Sequence, residues 1–455
     1  MRSAFIIFLR TGTGRSRAVK LKIIDAFDYI LLVCVLVLTA AGIAFIYSSA
    51  INSDGVLVTN EYVKQTVWAS IGIVLIVITA LYDYRKTTRY AYILYAALAP
   101  VLLYTVIFGR HVNGANSWIG IGHFGIQPSE FGKIIFILFL AKYLSESAGE
   151  VPLKRFLIAA AIFALPVLLI LAQPDLGTAS VYIPVFLVMC FMAGIPLRYI
   201  LFVFAVGMGT IFLTVLPVWN DVIAHRKIAV IGALTDIRLR LLLIAASLSI
   251  ALIGIVVRRY LRGQRYFYWI SYGAFIATLS LFGSYGAGHV LKEYQISRLI
   301  VFLDPSVDPR GSGWNIIQSK IAIGAGGIFG RSFLHGTQSH YRFLPQQSTD
   351  FIFSILSEEL GFIGGLIVFV LYGLIFFRTL KIMRNSTGYG LYIAAGILGM
   401  FFFHFFVNIG MVMGIMPITG IPLLFLSYGG SSLLTAMVAV GLLMSINYHK
   451  YGFDA

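Results

Sequence analysis

Residues 27–49 read FDYILLVCVLVLTAAGIAFIYSS, a run interrupted by a single charge, Asp28. At about 1.5 Å per residue, a helix of this length spans the roughly 30 Å hydrocarbon core of a bilayer. Similar runs recur near 67–83, 90–108, 131–145, 155–172, 178–194, 199–217, 239–257, 266–285, 350–377, 388–412 and 423–446. The run at 131–145 is short and is expected to start earlier, around Pro128. The chain is therefore expected to be an all-α polytopic membrane protein with about twelve transmembrane helices. A soluble fold is excluded by 59% hydrophobic and 11% charged residues and by a mean hydropathy of +0.90.

The net charge of +16 raises the question of nucleic acid, but the cations are scattered between spans instead of gathered on a soluble domain. That is the pattern of the positive-inside rule, so membrane lipids and not nucleic acid are expected around the chain. Arg85, Lys86, Arg89, Lys142, Lys154, Arg155, Arg198, Arg258, Arg259, Arg262, Arg265, Arg378, Lys381 and Arg384 fall in alternate loops. Those loops, a basic tail at 1–26 and both termini are expected in the cytoplasm. The tail's apolar patch, Ala4 to Leu9, is too short for a secretory signal. Cys34 and Cys190 both lie inside apolar runs and imply no disulfide framework.

The outward loops then begin at 50, 109, 173, 218, 286 and 413, and the loop at 286–349, between the ninth and tenth spans, is much the longest. It holds Tyr294-Gln295-Ile296-Ser297-Arg298, Asp304-Pro305-Ser306-Val307-Asp308-Pro309-Arg310-Gly311-Ser312-Gly313-Trp314, Gln318-Ser319-Lys320 and His335-Gly336-Thr337-Gln338-Ser339. Loops of this length in a compact protein are usually functional. Carboxylates, cations and many glycines together suit a reaction on an anionic substrate, in which a base takes a proton and cations stabilise a departing phosphate.

Other candidates lie outside that loop. Glu130 and Lys133, three residues apart behind Pro128, share a helix face just inside the membrane, either as an ion pair between spans or as site lining. Trp118 is a belt aromatic or a substrate contact, and Asp175 a helix N-cap or a site carboxylate. Asp350, Ser354 and Glu358 step along one face of a span that also buries Glu359, which should turn that face toward protein or a wet cavity. Ser427-Tyr428-Gly429-Gly430-Ser431-Ser432 in the last span suits close helix packing. His335 and His340 are five apart and share no helical face, and no metal-ligand or phosphate-loop motif is present, so no structural metal is expected.

Gln127-Pro128-Ser129-Glu130-x-x-Lys133, Gln173-Pro174-Asp175-Leu176-Gly177-Thr178, Tyr294-Gln295, Asp308-Pro309-x-Gly311-x-Gly313, Gln318-Ser319, Thr349-Asp350-Phe351-Ile352-Phe353 and Ser427-Tyr428-Gly429-Gly430-Ser431-Ser432 resemble the SEDS family of shape, elongation, division and sporulation proteins. His335-Gly336-Thr337-Gln338-Ser339 with Phe343-Leu344-Pro345 resembles its elongation branch. The resemblance implies a peptidoglycan glycosyltransferase of the bacterial inner membrane that polymerises lipid II and works with a class B penicillin-binding protein. It also implies a ten-helix core within 27–455, with the hairpin at 239–285 as an insertion and 286–349 as an extracytoplasmic catalytic loop.

In the family the essential acid matches Asp308, which becomes the expected general base. Trp118, Glu130, Lys133, Asp175, Arg298, Gln318, Ser319, Lys320, His335, Asp350 and Glu358 are the expected substrate contacts. The chain departs from the family at Ser117, where an arginine usually precedes the tryptophan. The pyrophosphate needs positive charge from Arg298, Lys320, Lys133 or a divalent cation, magnesium or manganese, for which no ligands are assigned. Two other readings are a lipid II flippase and a non-catalytic scaffold for the transpeptidase.

Overall fold

The computed structural model describes residues 28–112, 114–121, 124–224, 229–260, 265–290, 293–308 and 311–449. The expected basic tail, Arg262, Pro309 and Arg310 lie outside them.

Every expected span is a helix: α1 Tyr29–Ala50, α2 Glu61–Leu81, α3 Thr87–Phe108, α4 Pro128–Glu146, α5 Pro152–Ala172, α6 Leu176–Met192, α7 Leu197–Trp219, a short α8 Ala229–Thr235, α9 Ile237–Tyr260, α10 Arg265–Val290, α11 Glu293–Leu303, α12 Ser312–Gly326, a single turn α13 Thr337–His340, α14 Ile352–Arg384, α15 Gly388–Val412 and α16 Gly430–His449. Among the described residues nine helices are long and apolar enough to cross a membrane, and α4, α6 and α10 complete the twelve. Local chemistry sets several starts. Asp28 caps α1 by accepting from Leu31 N, Asp175 caps α6 through Thr178 N, and Pro128 and Pro152 occupy first-turn positions where no amide hydrogen is needed.

Three features depart from a plain helical bundle. The loop after α3 folds into a three-stranded antiparallel sheet, Arg110–Val112, Ala115–Ile121 and Phe124–Ile126. α14 is two helices joined at Gly361, whose φ of +66° breaks the ladder and where a Cβ would collide with Gly330 N. The amides freed by the break are paired by the glycine-rich turn after α12, Phe362 N donating to Gly327 O (2.9 Å) and Ile363 N to Ile328 O (3.2 Å), while Arg331 N returns to Glu358 O (3.0 Å). The last apolar run becomes helical only at Gly430, and residues 413–429 form an irregular strap through the protein.

Non-helical backbone at membrane depth is tolerated only where protein satisfies it, and side chains from α2, α14 and α15 do so here. Asn408 Nδ2 donates to Ile421 O (2.8 Å), His404 Nδ1 lies 2.9 Å from Pro422 O, and Gln65 Nε2 donates to Ser427 O (3.1 Å). Tyr372 OH donates to Leu424 O, and the Leu426 carbonyl lies against Gly42 of α1.

α10 packs on both α9 and α7. α9 and α10 lie at the edge of the bundle, with most of their side chains exposed.

Candidate active site at the loop-rich end

Five of the expected outward loops meet at one end of the bundle. Ser53 N donates to His340 O (3.1 Å), Asn116 N to Gln173 O (3.1 Å) and Gln295 Nε2 to Pro174 O (3.0 Å), and the Lys320 side chain lies against Gly414.

The turn between α11 and α12 separates its two acids. Asp304 is committed to local structure: its carboxylate accepts from Ser306 N (2.9 Å) and from the Ser306 hydroxyl, capping the short 3-10 turn Pro305–Val307. Those hydrogen bonds hold its pKa below the usual carboxylate value. Asp308 contributes its backbone to the turn, its carbonyl accepting from Gly311 N (3.3 Å) and Gly313 N (3.1 Å) at the start of α12. Its half-exposed carboxylate lies over Gly311. Glycine at 311 leaves room for it, because a Cβ there would overlap both carboxylate oxygens.

α12 carries Gln318 and Ser319 inward and Lys320 outward. Ser319 Oγ donates to Val412 O (2.6 Å) and lies 2.8 Å from Ser354 Oγ, so it braces α12 against α14 and α15. Lys320 is exposed beside the strap. Arg298 and Asp350 both approach the strap at Gly420, where a Cβ would stand 3.8 Å from Arg298 Nη1 and 3.6 Å from Asp350 Oδ2.

Both glutamates on the polar face of α14 are engaged by protein. Glu358 accepts from Thr337 N (2.8 Å), Thr337 Oγ1 (2.9 Å) and Gln338 N (3.0 Å), and Glu359 from Leu334 N (3.1 Å) and Ser48 Oγ. Glu358 thus orders the turn that carries His335, which is itself exposed with Nδ1 2.9 Å from Phe333 O.

Asp175 caps α6 and also receives Gln127 Nε2 (2.7 Å), so it ties the start of α4 to α6. The ring of Trp118, on the second strand, covers Gly125 of the third, and Ser117 beside it is buried.

Glu130 and Lys133 pair at 2.7 Å, but they are not alone. Lys133 Nζ also lies 3.2 Å from His404 Nε2, and all three residues are at most 4% exposed. The ammonium can only donate, so Nε2 accepts from it and Nδ1 carries the imidazole proton toward Pro422 O. Two of the three ammonium hydrogens are therefore engaged by protein. Glu130 Oε2 has no protein partner. His404 and Asn408, which also donates to Asp350 O (2.9 Å), are the functional-site residues that the sequence reading missed. Two polar residues one turn apart in an otherwise apolar span were the available signal.

Among the described residues, no three His, Cys, Asp or Glu side chains converge as an all-protein cation cage requires.

Residues 28–237 and 242–452 match the family model for FtsW, RodA and SpoVE, described as cell cycle protein. The chain is 56% identical over 425 residues to the peptidoglycan glycosyltransferase RodA of Treponema pallidum, covering 93% of this chain and 98% of the relative. It is 35% identical to the peptidoglycan glycosyltransferase MrdB of Escherichia coli over 84% of each. Among solved structures it is similar to one described as structural coordination of polymerization and crosslinking by a peptidoglycan synthase complex, with TM-score 0.63 and 26% identity over 93% of this chain and 98% of that one. It also shares the fold of the rod shape determining protein RodA of Thermus thermophilus, with TM-score 0.59 and 22% identity over 94% of this chain and 98% of that one.

Proposed function

The chain belongs to the FtsW/RodA/SpoVE family of cell cycle proteins, and from that premise we propose that it is a peptidoglycan glycosyltransferase of cell elongation whose reaction takes place at the loop-rich end. The substrate is lipid II, presented on the outer face of the bacterial inner membrane, with both termini of the chain in the cytoplasm. A class B penicillin-binding protein is the partner that crosslinks the product, a pairing supported by the likeness to a synthase complex that coordinates polymerization and crosslinking.

In the transfer, a sugar hydroxyl of one substrate attacks the anomeric carbon of another. The bond from that carbon to the pyrophosphate oxygen breaks, the lipid pyrophosphate leaves, and the attacking hydroxyl gives up its proton. Asp308 is the base that takes it. The observation that carries this role is the placement of the Asp308 carboxylate, half-exposed over Gly311 at the start of α12, while Asp304 in the same turn caps the 3-10 turn.

Arg298 and Lys320 supply positive charge for the leaving group. Lys133 is buried and engaged by Glu130 and His404, which favours a bracing role over direct phosphate contact. A magnesium or manganese ion would have to be held largely by the substrate's own phosphates, since among the described residues Asp308 is not joined by two further His, Cys, Asp or Glu ligands. Bound there, it would neutralise charge on the leaving pyrophosphate.

The test is purified protein, with and without its transpeptidase partner, given fluorescent lipid II. Glycan polymer supports this reading. Lipid moved across the bilayer without polymer replaces it with a flippase, and neither product replaces it with a scaffold.

A further inference from the structure

α7, α9 and α10 contain no Asp or Glu at all, yet the ends of these helices remote from the catalytic loop carry Arg198, Arg258, Arg259 and Arg265. No ion pair engages any of them among the described residues. The positive-inside rule accounts for cations at this end of the bundle but not for their arrangement. The guanidinium of Arg258 stacks over the Tyr268 ring at 5.0 Å, and Arg198 also interacts with Tyr268. Arg198 is fixed in turn: its guanidinium sits over Tyr199 at 5.0 Å, and its carbonyl accepts from Tyr272 OH at 2.6 Å, which pins α10 to α7. Tyr272 stacks on Tyr268. Two guanidinium groups from different helices thus sit on one cluster of tyrosines, Arg198 on Tyr199 and Arg258 on Tyr268, held by rings and not by carboxylates.

We infer that this cluster is a headgroup site for an anionic phospholipid, with Arg198 and Arg258 bracketing its phosphodiester. Guanidinium forks suit the paired oxygens of a phosphate, and ring stacking keeps them in place without neutralising them. The choice of a lipid over a soluble phosphate rests on the adjoining surface. Trp269 is 59% exposed and Ile253 61%, with Val256 and Ile270 also open, so an apolar wall continues from the arginines along the bilayer-facing side of the helices. A phosphate at the arginines places its acyl chains along that wall. Basic clusters beside membrane helices recognise acidic headgroups in this way. The inference is independent of the proposed catalytic function.

The experiment is native mass spectrometry of the full chain in detergent with added phosphatidylglycerol or phosphatidylcholine. The expected result is retention of phosphatidylglycerol only. Retention should fall roughly tenfold or more in Arg198→Gln/Arg258→Gln and stay unchanged in Lys381→Gln/Arg384→Gln, which removes the same charge elsewhere on that side. Equal loss in both double variants would mean diffuse surface charge and overturn the site, and so would equal retention of phosphatidylcholine. Displacement of the bound phosphatidylglycerol by an acidic peptide that lacks acyl chains would assign the cluster to a protein partner instead. A second measurement needs no charge variant: brominated-chain phosphatidylglycerol should quench the part of the fluorescence that Trp269→Phe removes. Quenching no greater than that by brominated phosphatidylcholine overturns the inference as well.

Discussion

The strap at 413–429 and the helical pair α9–α10 are both departures from a simple bundle, and they are stabilised in opposite ways. Around the strap the backbone carbonyls of Ile421, Pro422, Leu424 and Ser427 are each met by a side chain from a neighbouring helix, and 83% of the apolar stretch of α16 that follows is buried in protein. In α9 only 11% is, and α10 meets α9 and α7 through small residues, as where Ser271 lies against Gly254 and Ser280 against Gly209. A segment whose backbone cannot satisfy itself must be held by side chains from several helices, whereas a regular helix needs only a close neighbour and lipid. Substitutions should therefore propagate from the first region into the site and remain local in the second.

The largest effect is expected at the turn that α12 extends. Asp308→Asn keeps shape and removes basicity, and it should slow lipid II polymerisation by about 10²–10⁴-fold while lipid II binding persists. Asp304→Asn, which loses only a cap, should leave the rate within a few-fold of the parent. A parental rate for Asp308→Asn in the same assay means the base lies elsewhere.

Next comes the buried pair. Lys133→Met strands the Glu130 carboxylate and should destabilise the fold by about 3–5 kcal/mol, read as a lowered unfolding temperature in detergent. The charge swap Glu130→Lys/Lys133→Glu should recover only part of that loss. A carboxylate at 133 would face His404 Nε2, which must then donate, although Nδ1 already donates to Pro422 O. Full recovery in a double-mutant cycle would show that His404 plays no part in the pair.

Asn408→Leu removes the donor to Ile421 O and Asp350 O at once. A loss of about 1–3 kcal/mol is expected for each carbonyl left without a partner, together with reduced polymerase activity as the loop ahead of α14 loosens. The smallest effect on catalysis is expected at the edge: a chain lacking 239–285 that still inserts should retain measurable polymerisation. Complete loss of activity in such a chain would show that the pair helps build the site and would remove the contrast between the two regions.

Much of this was legible without coordinates, because a bilayer imposes a length and a polarity that sequence records directly. All twelve runs are helices, and Glu130 and Lys133 pair because a three-residue spacing brings side chains together on any helix. Ser354 and Glu358 likewise share a face through a four-residue step, whereas Asp350, expected on the same face, stands in the turn before α14 begins. What sequence could not supply was the partner on the other side of each face. His404 stands 271 positions from Lys133, and Ser48 lies 311 from Glu359. Such contacts exist only after the helices have packed, and a chain read in order carries no local sign of them. The sheet after α3 was hidden for a related reason, since strands of three to seven residues are fixed by pairing and not by their own alternation. The break in α14 was decided at tertiary level as well: Gly361 permits it, but the carbonyls of Gly327 and Ile328 make it stable. Sequence determined how many times the chain crosses the membrane and which residues face inward together, because those depend on local periodicity. Only the packed structure decided that the Asp304 carboxylate caps the 3-10 turn while the Asp308 carboxylate lies over Gly311, because where each carboxylate points is set only once the turn has closed.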